Sequence, residues 1–186
     1  MALKAIGLIG TIGAGKDTVS DYIRDNYKFN VITMGDLVRE VAKERGVEAN
    51  RDNLTAIQKE HVERFGGDYW IKKVVERVKK NRWEKVIING IRRPVDAEVA
   101  KKSFGNDIVL VLVDADVQVR FSRLQRRGRV GDPKTMEEFG HQEQSEFEKF
   151  DFKNTLKHVE KTIHNNTSLE NLRKSTDDLL KTLRYI

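Results

Sequence analysis

The segment GTIGAGKDT, Gly10 to Thr18, places three glycines and a lysine between an apolar run, LKAIGLI, and a periodic segment, VSDYIRDNY. Gly10, four further residues, and then Gly15 and Lys16 give the spacing of a phosphate-binding loop, in the strand-then-helix setting that loop requires. The chemistry is geometric. Glycines let backbone N–H groups turn inward around a phosphate chain, the helix N-terminus adds partial positive charge, and the ammonium of Lys16 reaches the β and γ oxygens. The expected nucleotide contacts are the loop residues Gly10, Thr11, Ile12, Gly13, Ala14, Gly15 and Lys16, with Asp17 and Thr18 after them. One position departs from the pattern. The slot after the lysine usually holds a hydroxyl that coordinates Mg²⁺; here it holds Asp17, and the hydroxyl follows as Thr18. An acid in the first turn of a helix is also favoured by the helix dipole alone.

Three other segments concentrate cationic side chains where a phosphate would sit. In KVIINGIRRPVDAE, Arg92 and Arg93 follow an apolar strand, and the carboxyl end of a parallel strand points into the crevice where α/β sheets bind ligands. Guanidinium offers a planar fork of donors suited to phosphate. In ITMGDLVREVAKE, Asp36 precedes a helix carrying Arg39, and capping that helix is the simplest use of an aspartate there. In VRFSRLQRRGRVGDPKT, Arg123, Arg126, Arg127 and Arg129 fall within seven residues. On a helix, 123 and 127 share a face with 126 beside them, so at least two guanidinium groups reach one polyphosphate.

These residues need a scaffold. Five apolar runs, KAIGLIG, FNVITM, KVIING, DIVLVLVD and KTIHNN, are separated by segments of helical period, and near-continuous apolar runs mark strands covered on both faces. The pattern predicts a mainly parallel sheet with helical crossovers. Helices are predicted over Asp17–Asn26, Gly35–Arg45, Asn53–Phe65, Tyr69–Asn81, Pro94–Lys102, Val117–Arg127, Thr135–Phe150 and Ser168–Leu183, the last capped by Ser168 or Thr167. Asp68 reads as another N-cap, and Trp70 either stacks on a bound base or packs against its own helix. A chain of 186 residues with 38% hydrophobic content supports one core and one domain, 1–186.

Composition narrows the function classes. There are no cysteines, which removes disulfide frameworks and thiolate zinc sites, and the four histidines have no metal-ligand spacing. No window of about twenty apolar residues occurs, so a soluble, cytoplasmic protein with no membrane partner is expected. Lysine and arginine number 35 against 29 acids, a formal charge of +6 that suits a polyanionic ligand, although most lysines read as ordinary solvated surface.

The loop GAGKDT resembles that of nucleoside monophosphate kinases, in which adenylate kinases carry GAGKGT and some deoxynucleotide kinases GKDT. MGDLVRE is similar to their TGDLLR, GIRRPVDAE to their pattern of acid, glycine, apolar residue, proline and arginine, and RGRVGDPKT to a short version of their lid. With GIRRPxDAE and RGRxGDPKTxEEF, the likeness extends to small kinases of the dephospho-CoA kinase-like group and covers nearly the whole chain. It implies an α/β P-loop NTPase fold, a three-layer sandwich with a five-stranded parallel sheet flanked by helices. A helical acceptor-binding insert over about 35–80 and a short arginine-rich lid over about 127–135 complete it.

The same resemblance implies ATP and Mg²⁺ as cofactors and a small-molecule nucleotide as acceptor, in a monomer or homodimer, with nucleic acid disfavoured as a partner. Lys16, Arg93, Arg127, Arg129 and Asp36 would be catalytic, and Asp36, Arg39, Gly90, Arg92 and Arg93 would hold the acceptor. Arg123 would stack on the adenine, the backbone around Asn165 to Thr167 would pass over it, and Thr18 would contact the α-phosphate. The metal would be held by phosphates and water, with Asp17 and Thr18 as its protein contacts through water. Asn89 stands where the family has an acid. Either its amide oxygen substitutes, or Asp17, Asp36 or Glu98 supplies the charge. The expected reaction is transfer of the γ-phosphoryl group of ATP to a nucleoside or deoxynucleoside monophosphate. Two alternatives stay open: a dephospho-CoA kinase acting on a ribose hydroxyl with Asp36 as base, and a nucleotide-gated assembly factor for RNA or protein.

Overall fold

The five apolar runs form five strands, β1 (Lys4–Ile9), β2 (Asn30–Thr33), β3 (Lys85–Ile91), β4 (Ile108–Asp114) and β5 (Lys161–His164). They pair in parallel in the order β2-β3-β1-β4-β5. The computed structural model describes residues 3–129 and 131–186; Met1 and Ala2, at the start of the first apolar segment, and Val130, inside the expected lid, lie outside the described residues. Between and after the strands run α1 (Lys16–Tyr27), α2 (Met34–Glu44), α3 (Arg51–Phe65), α4 (Tyr69–Lys80), α5 (Pro94–Phe104), α6 (Val117–Arg127), α7 (Met136–Phe150), α8 (Phe152–Thr155) and α9 (Leu169–Thr182).

The period of two along each strand divides the apolar side chains between two cores. On β1, Ala5 and Ile9 enter one core, Ile6 and Leu8 the other, all fully buried. β3 repeats the division with Val86 and Ile88 against Ile87, and β4 with Ile108 and Leu110 against Val111 and Val113. The first core is closed by α2, α4 and α5 through residues such as Val38, Trp70, Ile71 and Ala97. The second is closed by α1 and α9 through Val19, Ile23, Leu172 and Leu180. The result is the expected three-layer sandwich, and with both sheet faces covered the carboxyl edge is left as the place for a ligand. Among the described residues, no helix is long and apolar enough to cross a membrane.

All eight predicted helices are present, with ends that differ by at most two residues. Caps account for the sharp starts: Thr33 and Asp36 form a reciprocal capping box on α2, as do Thr135 and Glu138 on α7, and Ser168 accepts from Asn171 N–H on α9. Asp68 departs from expectation. It holds the N-cap position of α4, but its side chain makes no cap bond and instead pairs with Lys72 at 2.7 Å. The short α8 was not predicted, because four residues carry no period; Asp151, in the left-handed region at φ 49°, ends α7 and starts α8.

Candidate active site

The loop from Gly10 to Gly15 joins β1, the middle strand, to α1. Two of its glycines are dictated by neighbours as well as by backbone. A Cβ on Gly13 (φ 78°) would lie 2.9 Å from the Arg120 carbonyl oxygen, and one on Gly15 (φ 102°) 2.3 Å from Asn165 Nδ2. Lys16 folds back beneath the loop, donating from Nζ to the carbonyls of Gly10 (2.7 Å) and Thr11 (3.0 Å). Burial of the ammonium, reinforced by the nearby charge of Arg92, lowers its pKa to about 8.

A cavity of about 360 Å³ opens on the β3 side of the loop, lined by Lys16, Asp17, Arg39, Asn89, Arg92 and Arg93 among others. Gly90, Trp70 and Gln58 also face it. Here the structure gathers most of the residues assigned to the acceptor. Arg93 lies along Gly67, its guanidinium 3.4 Å from that carbonyl, and its backbone N–H donates to Asp96 (3.1 Å). Arg92 stands over the Phe150 ring at 5.4 Å, while Thr155 of α8 donates to the Arg92 carbonyl at 2.7 Å and pins the turn. Asp96 is buried, and that burial raises its pKa to about 6, against the opposing pull of the Arg93 N–H and charge. Asn89 is buried too, and its Nδ2 donates to Asp17 Oδ1 at 2.8 Å.

Asp36 is held differently from its expected role. One carboxylate oxygen accepts the Thr33 N–H (3.0 Å) and the other the Arg39 guanidinium (2.9 Å), so both are engaged in the cap and an exposed ion pair. Trp70 is buried among His61 and Tyr69, with one edge on the cavity, so packing prevails over free stacking.

A second cavity, about 520 Å³, lies on the β4 side of the same loop, with Gly15, Thr18, Arg123, Arg126, Asn165 and Asn166 on its walls. Thr18 and Asp17 therefore face different cavities although adjacent in sequence. Arg123 donates to the carbonyl (2.8 Å) and side-chain oxygen (3.0 Å) of Asn165 and reaches toward Gly13 O at 3.5 Å. Asn165 in turn donates to Ala14 O at 2.8 Å, which ties the segment after β5 to the loop. The four arginines of the α6 segment do not act as one cluster. Arg126 joins Arg123 on the cavity wall, whereas Arg127 turns to Asp132, which also accepts the Arg129 N–H at 3.0 Å. Among the described residues no group of acids and histidines of metal-binding form occurs.

Sequence reasoning missed Arg120, Glu143 and Asp96, and of Asn165 it considered only the backbone, not the side chain bonded to Ala14. Arg120 is buried behind the loop, donates to Ala115 O at 2.8 Å and pairs with Glu143 of α7, with Phe139 5.2 Å away. Its sequence signal, an arginine three residues before Arg123, is the same as that of an exposed helix arginine, and only the fold turns it inward.

Residues 9–140 match the AAA domain family. The chain is 31% identical to a UPF0200/UPF0201 protein of Archaeoglobus fulgidus over its own full length, and spans 58% of that longer relative. It is 30% identical to a UPF0200 protein of Methanosarcina mazei, covering 96% of this chain and 94% of the other. Among solved structures, shikimate kinase from Bacteroides thetaiotaomicron superimposes with a TM-score of 0.65 at 16% identity, covering 98% and 99% of the two chains. A gluconokinase from Sinorhizobium meliloti gives 0.55 at 15%, covering 98% and 96%. At these identities the likeness is one of fold, that of the P-loop kinases.

Two measurements check the electrostatics. Between about pH 4 and 6 the folded protein keeps a proton on Asp96 that the unfolded chain has released, so this residue's contribution to stability falls as pH rises through that window, by about 3 kcal/mol in total. Urea unfolding at pH 4 and 7 is expected to show Asp96→Asn gaining on the natural protein by that order; parallel curves would refute the linkage. Glu143→Gln leaves the Arg120 guanidinium buried without its charge partner, and a loss of about 3 kcal/mol is expected in the same assay.

Proposed function

On the footing that this chain belongs to the UPF0200 family, and through residues 9–140 to the AAA domain family, we propose that it is an ATP-dependent phosphotransferase whose acceptor is a nucleoside or deoxynucleoside monophosphate. The observation that carries this reading is the arrangement of two cavities on opposite sides of one phosphate loop. The β4-side cavity, with Arg123 and the Asn165–Thr167 segment on its wall, suits the donor nucleoside. The β3-side cavity, with Arg39, Arg92 and Arg93, suits an acceptor that bears phosphate. Lys16 lines the acceptor side, and Gly15 beside it lines the donor side.

In this reading an acceptor phosphate oxygen attacks the γ-phosphorus in line, the bond to the β–γ bridging oxygen breaks, and ADP leaves. A phosphate acceptor is already ionised, so no general base is needed. The protein's part is positioning and charge neutralisation. Lys16 spans the β and γ oxygens, Arg93 and Arg39 fix the acceptor, and Arg127 and Arg129 approach the migrating group by leaving Asp132 when the segment after α6 closes as a lid. The Mg²⁺ that accompanies ATP fits the oxygen chemistry of Asp17, and bound there it would neutralise the charge on the β- and γ-phosphates.

An ADP-release assay against nucleoside and deoxynucleoside monophosphates and dephospho-CoA, with product masses read, tests the reaction. One monophosphate converted to its diphosphate is the expected result; conversion of dephospho-CoA would move the acceptor to a hydroxyl, and turnover stimulated only by RNA or protein would replace the kinase reading by an assembly factor. Lys16→Ala is expected to lower kcat on the order of 10²–10³-fold or more with the fold intact.

The lowered pKa of Lys16 gives a second test. Near pH 8 about half of the free protein has lost that proton, and a phosphate chain raises the pKa again, so nucleotide binding takes up protons. Calorimetry at pH 8 in two buffers of different ionisation enthalpy should record net uptake, and Lys16→Ala should abolish it.

A further inference from the structure

In P-loop NTPases the cation between the β- and γ-phosphates is held by a hydroxyl after the loop lysine and by an acid at the end of a sheet strand. This chain carries the two chemistries exchanged: the acid, Asp17, follows Lys16, and the neutral residue, Asn89, lies near the carboxyl end of the neighbouring strand β3. The two side chains touch, with Asn89 Nδ2 donating to Asp17 Oδ1 at 2.8 Å, and both line the β3-side cavity. We propose that the acid anchoring the nucleotide's divalent cation has moved from the strand to the first turn of α1, so that Asp17 is its anionic anchor and Asn89 is the residue that positions Asp17.

The orientation of the Asn89 amide supports this. Its Oδ1 is buried and has no hydrogen-bond partner, a costly state for a buried acceptor. An amide can turn over to relieve such a state, but turning here would set an oxygen against the Asp17 carboxylate. The contact with Asp17 therefore decides the orientation. The exchange is also mutually enforced. An aspartate at 89 beside Asp17 would bring two carboxylates within hydrogen-bond distance, and such a pair does not ionise twice. An acid at 17 requires a neutral donor at 89.

Two other carboxylates lining or flanking this cavity are engaged: Asp36 gives both oxygens to the α2 cap and to Arg39, and Asp96 accepts the Arg93 N–H. Glu146, whose charge reaches Lys16, lies with Gly10, Thr11 and Arg92 in a separate small cavity that Asn89 does not line, and Glu98 lies 3.8 Å from His158. Asp17 has one oxygen on Asn89 and, among the described residues, no hydrogen-bond partner for the other, although the charges of Lys16 and Arg127 reach it. Thr18, the displaced hydroxyl, faces the opposite cavity and leaves Asp17 as the loop's contact on this side.

The inference rests on ATP being the ligand, and its test reads binding rather than turnover. Affinity for the β,γ-imido analogue of ATP is measured by calorimetry with Mg²⁺ and with EDTA, and Mn²⁺ uptake in the presence of the analogue by electron paramagnetic resonance. The natural protein should gain affinity from the cation. Asp17→Asn should reduce that gain by about 10–100-fold while EDTA-condition binding persists, and Asn89→Ala should reduce it by about 10-fold. The decisive variant exchanges the pair back: Asp17→Ser with Asn89→Asp should restore the gain and the Mn²⁺ signal.

A gain in Asp17→Asn equal to that of the natural protein would overturn the assignment, as would an exchanged pair no better than either single variant. Failure of the natural protein to bind the analogue at all would remove the kinase reading itself. A cation gain that depends on Asp17, in a protein that phosphorylates no monophosphate, would leave this inference standing and remove only the acceptor.

Discussion

Everything at the carboxyl edge of the sheet depends on one unfavourable act, the burial of the Lys16 ammonium beneath the loop that it serves. Two carbonyls, Gly10 and Thr11, replace the water it has lost, and they do so incompletely, since its pKa lies well below that of a free lysine. A cation held in this way is under-satisfied and ready for an anion. The loop must then be stiff enough to hold its own carbonyls on the lysine. Its stiffness comes from behind: Asn165 donates to Ala14, the Arg120 carbonyl lies against Gly13, and Arg120 is itself locked by Ala115 and Glu143. An empty loop of glycines would have no reason to stay open without these supports.

The arginines around the loop are held in two different ways, and the difference has a mechanical meaning. On the β4 side, Arg123 is fixed by oxygens of Asn165, and at the end of α6 Arg127 is held by Asp132, so both already have partners. On the β3 side, Arg92 rests on an aromatic ring and Arg93 on a long contact to Gly67, while Arg39 is paired with Asp36. Guanidinium groups with weak partners lose little when a phosphate replaces them, whereas those with carboxylate partners must first release one. Arg92 and Arg93 could therefore take up an anion without first giving up a carboxylate, while Arg39 and Arg127 would each have to exchange one for it. Coupling the second event to the presence of a nucleotide would keep the transfer charge away from water until both sites are filled.

Much of this was legible in the sequence, for physical reasons that can be named. Strands covered on both faces must be apolar without interruption, so all five could be read directly, and the loop could be read because GxxxxGK between a strand and a helix has few other uses. What could not be read were contacts closed by the fold between distant segments. Arg120 and Glu143 lie 23 residues apart and look like ordinary surface charges. Asn165 looks like a turn residue until it is seen bonded to Ala14, 151 positions earlier. Asp36 was open in the sequence, since its position before a helix with Arg39 three residues on allowed a cap as well as a base, and the geometry shows both oxygens engaged in the cap and the Arg39 pair.

Asp17 and Asn89 make the same point at the level of charge. Each taken alone is a deviation: an acid where a hydroxyl is usual, and an amide where an acid is usual. Across the 72 residues that separate them, sequence could name Asp17 only as one of three acids able to stand in for the one missing at Asn89, and the helix dipole explains Asp17 equally well by itself. Brought to 2.8 Å, they form a single unit with the charge of the usual arrangement and its polarity reversed. What such a site conserves is the number of negative charges against the phosphates, because that number sets the field the cation meets. Both positions line the same cavity, so a cation seated there would meet one carboxylate in either arrangement. In this chain the acid of the phosphate loop and the amide of the facing strand are therefore best read together, as one unit joined by a hydrogen bond.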